Sequence, residues 1–203
     1  MSDAPTDLRL LGLGLNECEI ELNECCWPVV LNRPLYSRLF ALGVYGDGVS
    51  GCGPFGALQF SDVLFRPAGR FELAREVGAV FGLVEAIIIP VYDEAGDIDD
   101  LAAWNVDTGA LALWRGVALI LGEEWINAPR IESQTLTVFA DVGSWLRAGR
   151  RGVVVLDAER ARWRLAGESL AVEDPAFGRR IRDALRLPEP KVFVASKAAR
   201  RAA

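Results

Sequence analysis

Thirty-three residues, Val84 to Gly116, constrain the fold more than any other part of the chain. An apolar run from Ala86 to Tyr92 meets the turn Asp93-Glu94-Ala95-Gly96-Asp97. A second run, Ile98 to Trp104, meets the turn Asn105-Val106-Asp107-Thr108-Gly109 and is followed by Ala110 to Trp114. Strand-length apolar runs parted by Asp, Asn and Gly predict a β-meander. Gly96 and Gly109 supply the positive φ that its turns require.

Around this meander the rest of the 203-residue chain is large enough for one substantial core. About half of the residues are apolar and a quarter charged, the balance of a folded domain. The net charge of −6 conceals an asymmetry. Residues 147–203 hold fourteen of the twenty-two basic side chains and seven acids, a net of +7, whereas residues 1–146 carry −13. Two readings follow: solvated faces that attract one another within or between chains, or a basic face offered to a phosphate-rich partner. No apolar run reaches the length of a membrane span, and Asp3 and Asp7 stand where a secretory leader needs positive charge, so the expected location is cytoplasmic. The four cysteines (Cys18, Cys25, Cys26, Cys52) have no CxxC spacing and the chain has no histidine, which favours free buried thiols over a metal site.

The sequence divides into an acidic N-terminal region with a glycine-rich loop (1–65), an α+β core (66–186) and a basic C-terminal tail (187–203). In the first, Cys18, Ile20 and Leu22 alternate with glutamates, so Glu17 to Leu22 reads as an edge strand with an acidic outer face. Pro34 to Leu42 reads as a short helix with proline in its first turn. Gly43 to Gly56, with six glycines but no lysine and no phosphate-loop spacing, reads as a flexible surface loop. Phe60 to Phe65 reads as a strand, and Arg70 to Phe81 as a helix burying Phe71, Ala74, Val77 and Phe81. Val117 to Leu121 fits a fourth strand or one helical turn, which periodicity does not separate.

The last third is the most regular. Thr135 to Phe139, Val153 to Leu156 and Leu170 to Val172 read as strands, with Lys191 to Val194 as a last one. Asp141, Asp157 and Asp174 each stand where an N-cap belongs, the last with Pro175 at N1 and a buried stripe of Phe177, Ile181, Ala184 and Leu185. Arg160 to Leu165 alternates like a strand, yet Ala158, Ala161 and Leu165 share a helical face, and we read it as helix. The fold class is therefore α+β, a β-meander followed by a small βαβαβ-like C-terminal layer.

Little of this is chemistry. Asp93, Glu94, Asp97, Asp99 and Asp100 form the densest acidic cluster, but without the ligand order of a calcium loop they read as a solvated turn. Asp157 follows a central strand, where α/β layers place metal or phosphate chemistry; Glu159 is its near companion, and Glu173 and Asp174 approach from the neighbouring strand. Asp157 and Glu159 are thus the speculative catalytic pair, with helix capping as the plainer role for Asp157. With no histidine to serve as base, nucleophilic triads are disfavoured. Arg147, Arg150, Arg151, Arg160, Arg162, Arg164, Arg179, Arg180, Arg182 and Arg186 are candidates for a nucleic-acid-binding face, interleaved with Trp145 and Trp163, which serve equally well in a core.

The segments IDDLAAW (Ile98 to Trp104), LWRG (Leu113 to Gly116), WLRAG (Trp145 to Gly149) and the run into Asp157 resemble uncharacterised proteins carried by prophages and other mobile elements. That resemblance spans roughly Ile87 to Val194 and implies provenance rather than activity. PVYDEAG (Pro90 to Gly96) is similar to the PxxDxxG hairpin that precedes the Toprim domain of phage and plasmid primases, but the Toprim glutamate-glycine motif and paired DxD are replaced by LDAE (Leu156 to Glu159). The expectation is a non-enzymatic accessory or interaction protein of a mobile element, with no cofactor, no membrane and a protein partner or self-association. The alternatives are a degenerate primase-like protein binding nucleic acid through residues 147–186, and a self-assembling structural protein.

Overall fold

The meander forms, and it is one wall of a closed barrel. The computed structural model describes residues 16–51, 56–77, 81–127 and 135–188. Strands β4 (Val84–Tyr92), β5 (Ile98–Trp104) and β6 (Leu111–Leu113) run antiparallel, with Ile87 opposite Trp104 and Trp104 opposite Leu111. Gly96 and Gly109 turn the chain at φ 89° and 72°. β2 (Gln59–Arg66) pairs with β4 through residues 59–63 and with β3 (Arg70–Leu73) through residues 63–66. A parallel bridge between Arg70 and Leu113 joins β3 to β6 and completes the ring β2-β3-β6-β5-β4. Closure leaves these five strands without the open edges that invite aggregation. The two-residue strand β1 (Trp27–Pro28) adds to β2 from outside.

Both faces are covered from Ala86 to Val91 of β4 and from Leu101 to Trp104 of β5, which is why these stretches read as continuous apolar runs. Ala86, Ile88, Leu101 and Ala103 point into the barrel with Val63, Phe71 and Leu73. Ile87, Ile89, Val91, Ala102 and Trp104 point outwards into a second core shared with the rest of the molecule. Helix α1 (Glu17–Cys25) contributes Cys18, Leu22 and Cys25 to the barrel interior. The reading of Glu17 to Leu22 as an edge strand is thus corrected. Asn16 and Glu19 form a reciprocal capping box, Asn16 Oδ1 accepting from Glu19 N at 3.0 Å and Glu19 Oε2 from Asn16 N at 2.8 Å. A capping box starts a helix whatever alternation follows it.

The helix expected over residues 70–81 is also corrected. Residues 70–73 are strand β3, because Phe71 and Leu73 alternate into the barrel while Glu72 faces out to Arg66 at 2.6 Å. One helical turn follows, α4 (Ala74–Val77), and Phe81 is fully exposed; residues 78–80 lie outside the described residues. Helix α2 (Arg33–Ala41) matches expectation, with Asn32 capping Leu35 N at 3.1 Å and Leu35 and Leu39 buried.

The glycine-rich stretch is a packed element over its described part. A short helix, α3 (Asp47–Ser50), carries buried Val49 and follows buried Val44. A Cβ on Gly48 would lie 2.3 Å from the Leu146 carbonyl oxygen, so this glycine is there for close approach rather than flexibility.

The C-terminal half is a layered unit. Its sheet runs β10-β8-β9-β7, with β8 (Leu136–Phe139), β9 (Val153–Val155) and β10 (Leu170–Ala171) parallel and β7 (Ile120–Leu121) antiparallel to β9. Val117 to Leu121 thus yields a strand, though in this sheet and not as a fourth strand of the meander. Helix α5 (Val142–Arg147) packs Val142, Trp145 and Leu146 into the core shared with the barrel. Helix α6 (Ala158–Arg164) packs Ala161 on the opposite face, where α7 (Pro175–Ala184) joins it through Phe177 and Ile181. Arg160 to Arg164 is helical, and Ala184, placed on the buried stripe by its spacing, is exposed. The fold is α+β, a meander followed by a βαβαβ layer. No helix among the described residues is long and apolar enough to cross a membrane. Lys191 to Val194 and most of the basic tail lie outside the described residues.

Candidate functional site

From β8 the chain crosses to β9 through α5 on one face, and from β9 to β10 through α6 on the other. Adjacent parallel strands whose helices leave on opposite faces open a crevice beyond their carboxyl ends, the usual ligand position in such layers. A cleft of about 970 Å³ lies there. Its layered wall comes from Ala140, Asp141 and Val142 after β8 and from Leu156, Asp157 and Arg160 after β9. The barrel supplies the other wall through Arg70, Trp104, Leu111, Leu113 and Gly116.

Two carboxylates and two guanidinium groups stand at this cleft. Asp141 caps α5, accepting from Ser144 N and Ser144 Oγ, both at 2.8 Å. Asp157 caps α6, accepting from Arg160 N at 3.1 Å, and its other oxygen is 3.9 Å from Arg160 Nη1. Arg160 donates to the Val117 carbonyl at 3.3 Å, while Arg70 holds the Trp114 carbonyl through Nε at 3.0 Å and through Nη2. Both arginines therefore brace the segment 114–118, which links barrel to layer.

That segment is organised by a residue the sequence reading placed in a solvated turn. Asp100 is completely buried. Its Oδ1 accepts from Leu101 N at 2.8 Å and Arg115 N at 2.7 Å, and its Oδ2 from Val117 N at 2.8 Å and Ala118 N at 3.3 Å. Four backbone donors converge on one carboxylate, which satisfies groups that would otherwise be orphaned as the chain leaves β6. The turn reading holds for Asp93, whose Oδ1 accepts from Ala95 N at 2.8 Å and Asp97 N at 3.0 Å, and fails for Asp100. The available signal was position, since Asp100 lies within the β5 run.

The other proposed site residues are dispersed. Glu159 is exposed and meets Arg162 at 3.3 Å; it does not line the cleft, so it is not brought together with Asp157 as a catalytic pair. Glu173 and Asp174 follow β10, which β8 separates from β9, and Asp174 is spent on capping Ala176 N and Phe177 N at 3.0 and 2.9 Å. Those two donated hydrogen bonds hold its carboxyl below the usual aspartate range.

Arg150 is buried, donating to the carbonyls of Gly48 at 3.1 Å, Gly56 at 2.6 Å and Val49 at 3.3 Å. Its position is set by a Schellman close of α5, with Gly149 N bonding Leu146 O at 3.0 Å and Arg150 N bonding Trp145 O at 2.9 Å. Arg150 is a structural anchor and has no face to offer a nucleic acid. Arg147 donates to Ser144 Oγ at 2.8 Å, and Arg151 is 3.8 Å from Asp47. Arg164 reaches Glu123 at 2.6 Å and also pairs with Glu94 of the β4–β5 turn. Arg179, Arg180, Arg182 and Arg186 are exposed on or just beyond α7, without a salt bridge among the described residues; Arg180 lies over the Phe177 ring at 5.9 Å and acts on the Asp174 carboxylate. Trp145 is core, as read for both tryptophans, whereas Trp163 is 62% exposed, and the core reading is corrected for it.

The described thiols, Cys18, Cys25 and Cys26, are free and buried. Burial pushes Cys18 and Cys25 up to about 11, with Glu21 adding to the effect at Cys25, and raises Cys26 further still. Thiols so raised are poor nucleophiles near neutrality. Among the described residues no three His, Cys, Asp or Glu side chains are grouped to hold a metal ion. In comparisons with known proteins the chain matches no family model, no curated protein and no solved structure.

Proposed function

We propose that the protein is an accessory protein that acts by binding rather than turnover, with the cleft beyond β8 and β9 as its ligand site. The observation that carries this reading is the coincidence of a cleft of about 970 Å³ with the point where α5 and α6 part to opposite faces. Its two carboxylates are committed to helix caps and the chain has no histidine, so the chemistry at hand suits holding a ligand better than moving protons. The test fills the cleft. The amphipathic anionic dye 8-anilinonaphthalene-1-sulfonate should bind the native protein saturably at one site, and Ala140→Trp should remove that binding without moving the urea midpoint. Binding unaffected by Ala140→Trp would refute the reading; Ala184→Trp, on the exposed face of α7, is the control.

A second reading has its own observation, the arginines of α7. Arg179, Arg180, Arg182 and Arg186 form a basic set without a salt bridge among the described residues, with Asp174 acting on Arg180 only at longer range, whereas Arg162 and Arg164 are paired. This supports a polyanionic partner at α7 rather than along the whole of residues 147–186. Binding of single-stranded DNA that weakens steeply with salt and is lost in Arg179→Ala/Arg182→Ala is its expected result. Absence of binding at low salt would remove it.

A further inference from the structure

The chemistry of the cleft walls narrows what the site takes, and the argument rests on the cleft reading above. The barrel wall carries Arg70, whose guanidinium is bonded to the Trp114 carbonyl and forms no ion pair among the described residues. Across the cleft, Asp141 is bonded only to Ser144 and likewise has no cationic partner among the described residues. The remaining charges, Arg160 and Asp157, lie near each other on one wall and offset one another. Beside these charges each wall also presents apolar side chains, Trp104, Leu111 and Leu113 on the barrel side and Val142 and Leu156 on the layered side.

One guanidinium and one carboxylate on facing walls, each hydrogen-bonded but without an ion pair among the described residues, with apolar side chains beside them, match a molecule that carries both charges on an apolar body. A purely anionic ligand gains at Arg70 and loses at Asp141, and a purely cationic one does the reverse. The volume, about 970 Å³, exceeds what a single amino acid fills. We infer that the cleft binds an amphipathic zwitterion, a short apolar peptide with free ends, its carboxylate at Arg70 and its ammonium at Asp141. The carboxylate meets a planar guanidinium suited to it, and the apolar side chains cover the wall around Trp104.

The probe is the tetrapeptide Ala-Phe-Leu-Ala, titrated calorimetrically in three forms: free, N-acetylated and C-amidated. The free peptide should bind one to one. Each block should weaken binding about three- to fivefold, the scale of one exposed charge pair. Arg70→Gln should weaken the free peptide and make the amide block inconsequential; Asp141→Asn, which keeps the α5 cap, should do the same for the acetyl block. Equal binding of free and blocked peptides would overturn the zwitterion assignment. No peptide binding while the naphthalene dye still saturates would overturn it and leave the cleft reading standing. Loss of both would overturn the cleft reading itself.

Discussion

Replacing Asp100 with asparagine changes one oxygen to an amide nitrogen and little else in shape. The buried carboxylate accepts four backbone hydrogen bonds, two on each oxygen, from Leu101, Arg115, Val117 and Ala118. An asparagine oxygen can keep one pair. The amide nitrogen then faces two N–H donors that it cannot accept from, whichever way the side chain is turned. Each lost charge-assisted bond is worth roughly 1.5–3 kcal/mol, and the donor at Ala118 is buried where water does not replace it. The expected loss is about 3–5 kcal/mol, a large share of the ~5–15 kcal/mol that holds a domain together. For a chain of this length that is a fall of roughly 6–20 °C in Tm. The assay is urea unfolding at constant m-value, with hydrogen exchange read over residues 114–118. Exposed Asp99→Asn is the control and should move the midpoint by less than about 0.5 kcal/mol. A loss under about 1 kcal/mol with unchanged exchange at 114–118 would refute the view that one carboxylate organises the link between barrel and layer.

Three further substitutions probe the same packing. Arg150→Met removes the guanidinium from the carbonyls of Gly48, Gly56 and Val49, of which Val49 keeps its bond from Leu58 N at 2.7 Å, and should cost about 3 kcal/mol, with exchange accelerated over residues 47–51; unchanged exchange there would count against the anchor. Gly48→Ala sets a methyl group 2.3 Å from the Leu146 oxygen and should destabilise by about 1–3 kcal/mol, whereas a flexible loop would accept it freely. The thiols of Cys18 and Cys25 are raised from about 9 to about 11, so folding favours their neutral form. The stability they contribute is complete below pH ~9 and is lost as pH climbs through ~11. The urea midpoint should fall over that window, and less so in Cys18→Ala/Cys25→Ala; equal slopes would contradict the assignment.

The meander and the layer were legible because their signals are local. Gly96 and Gly109 mark turns by backbone freedom, and Asp141, Asp157 and Asp174 each cap the helix expected after them. The misread elements depend on partners distant in sequence. Residues 70–73 suit a helix until β2 and β6 supply strands to pair with. Cys18, Ile20 and Leu22 suit a strand until the Asn16–Glu19 box fixes a helix over the barrel mouth. The cleft was half visible: Asp157 drew notice as the residue after a central strand, but Arg70, Trp104 and Leu111 reach the site only through barrel closure. Arg150 and Asp100 looked like surface charge because burial of a charged group is decided by backbone groups that gather around it, and composition does not register these.

The most direct test of a binding site beyond β8 and β9 is amide chemical-shift mapping of the isotope-labelled protein during titration with the free tetrapeptide and with the naphthalene dye. The account predicts saturable shifts concentrated at residues 111–118, 140–142 and 156–160, all of them abolished by Ala140→Trp. Shifts confined to α7, or to the exposed apolar side chains of Trp27, Leu31, Phe40 and Tyr45, would contradict it and move the function to those surfaces.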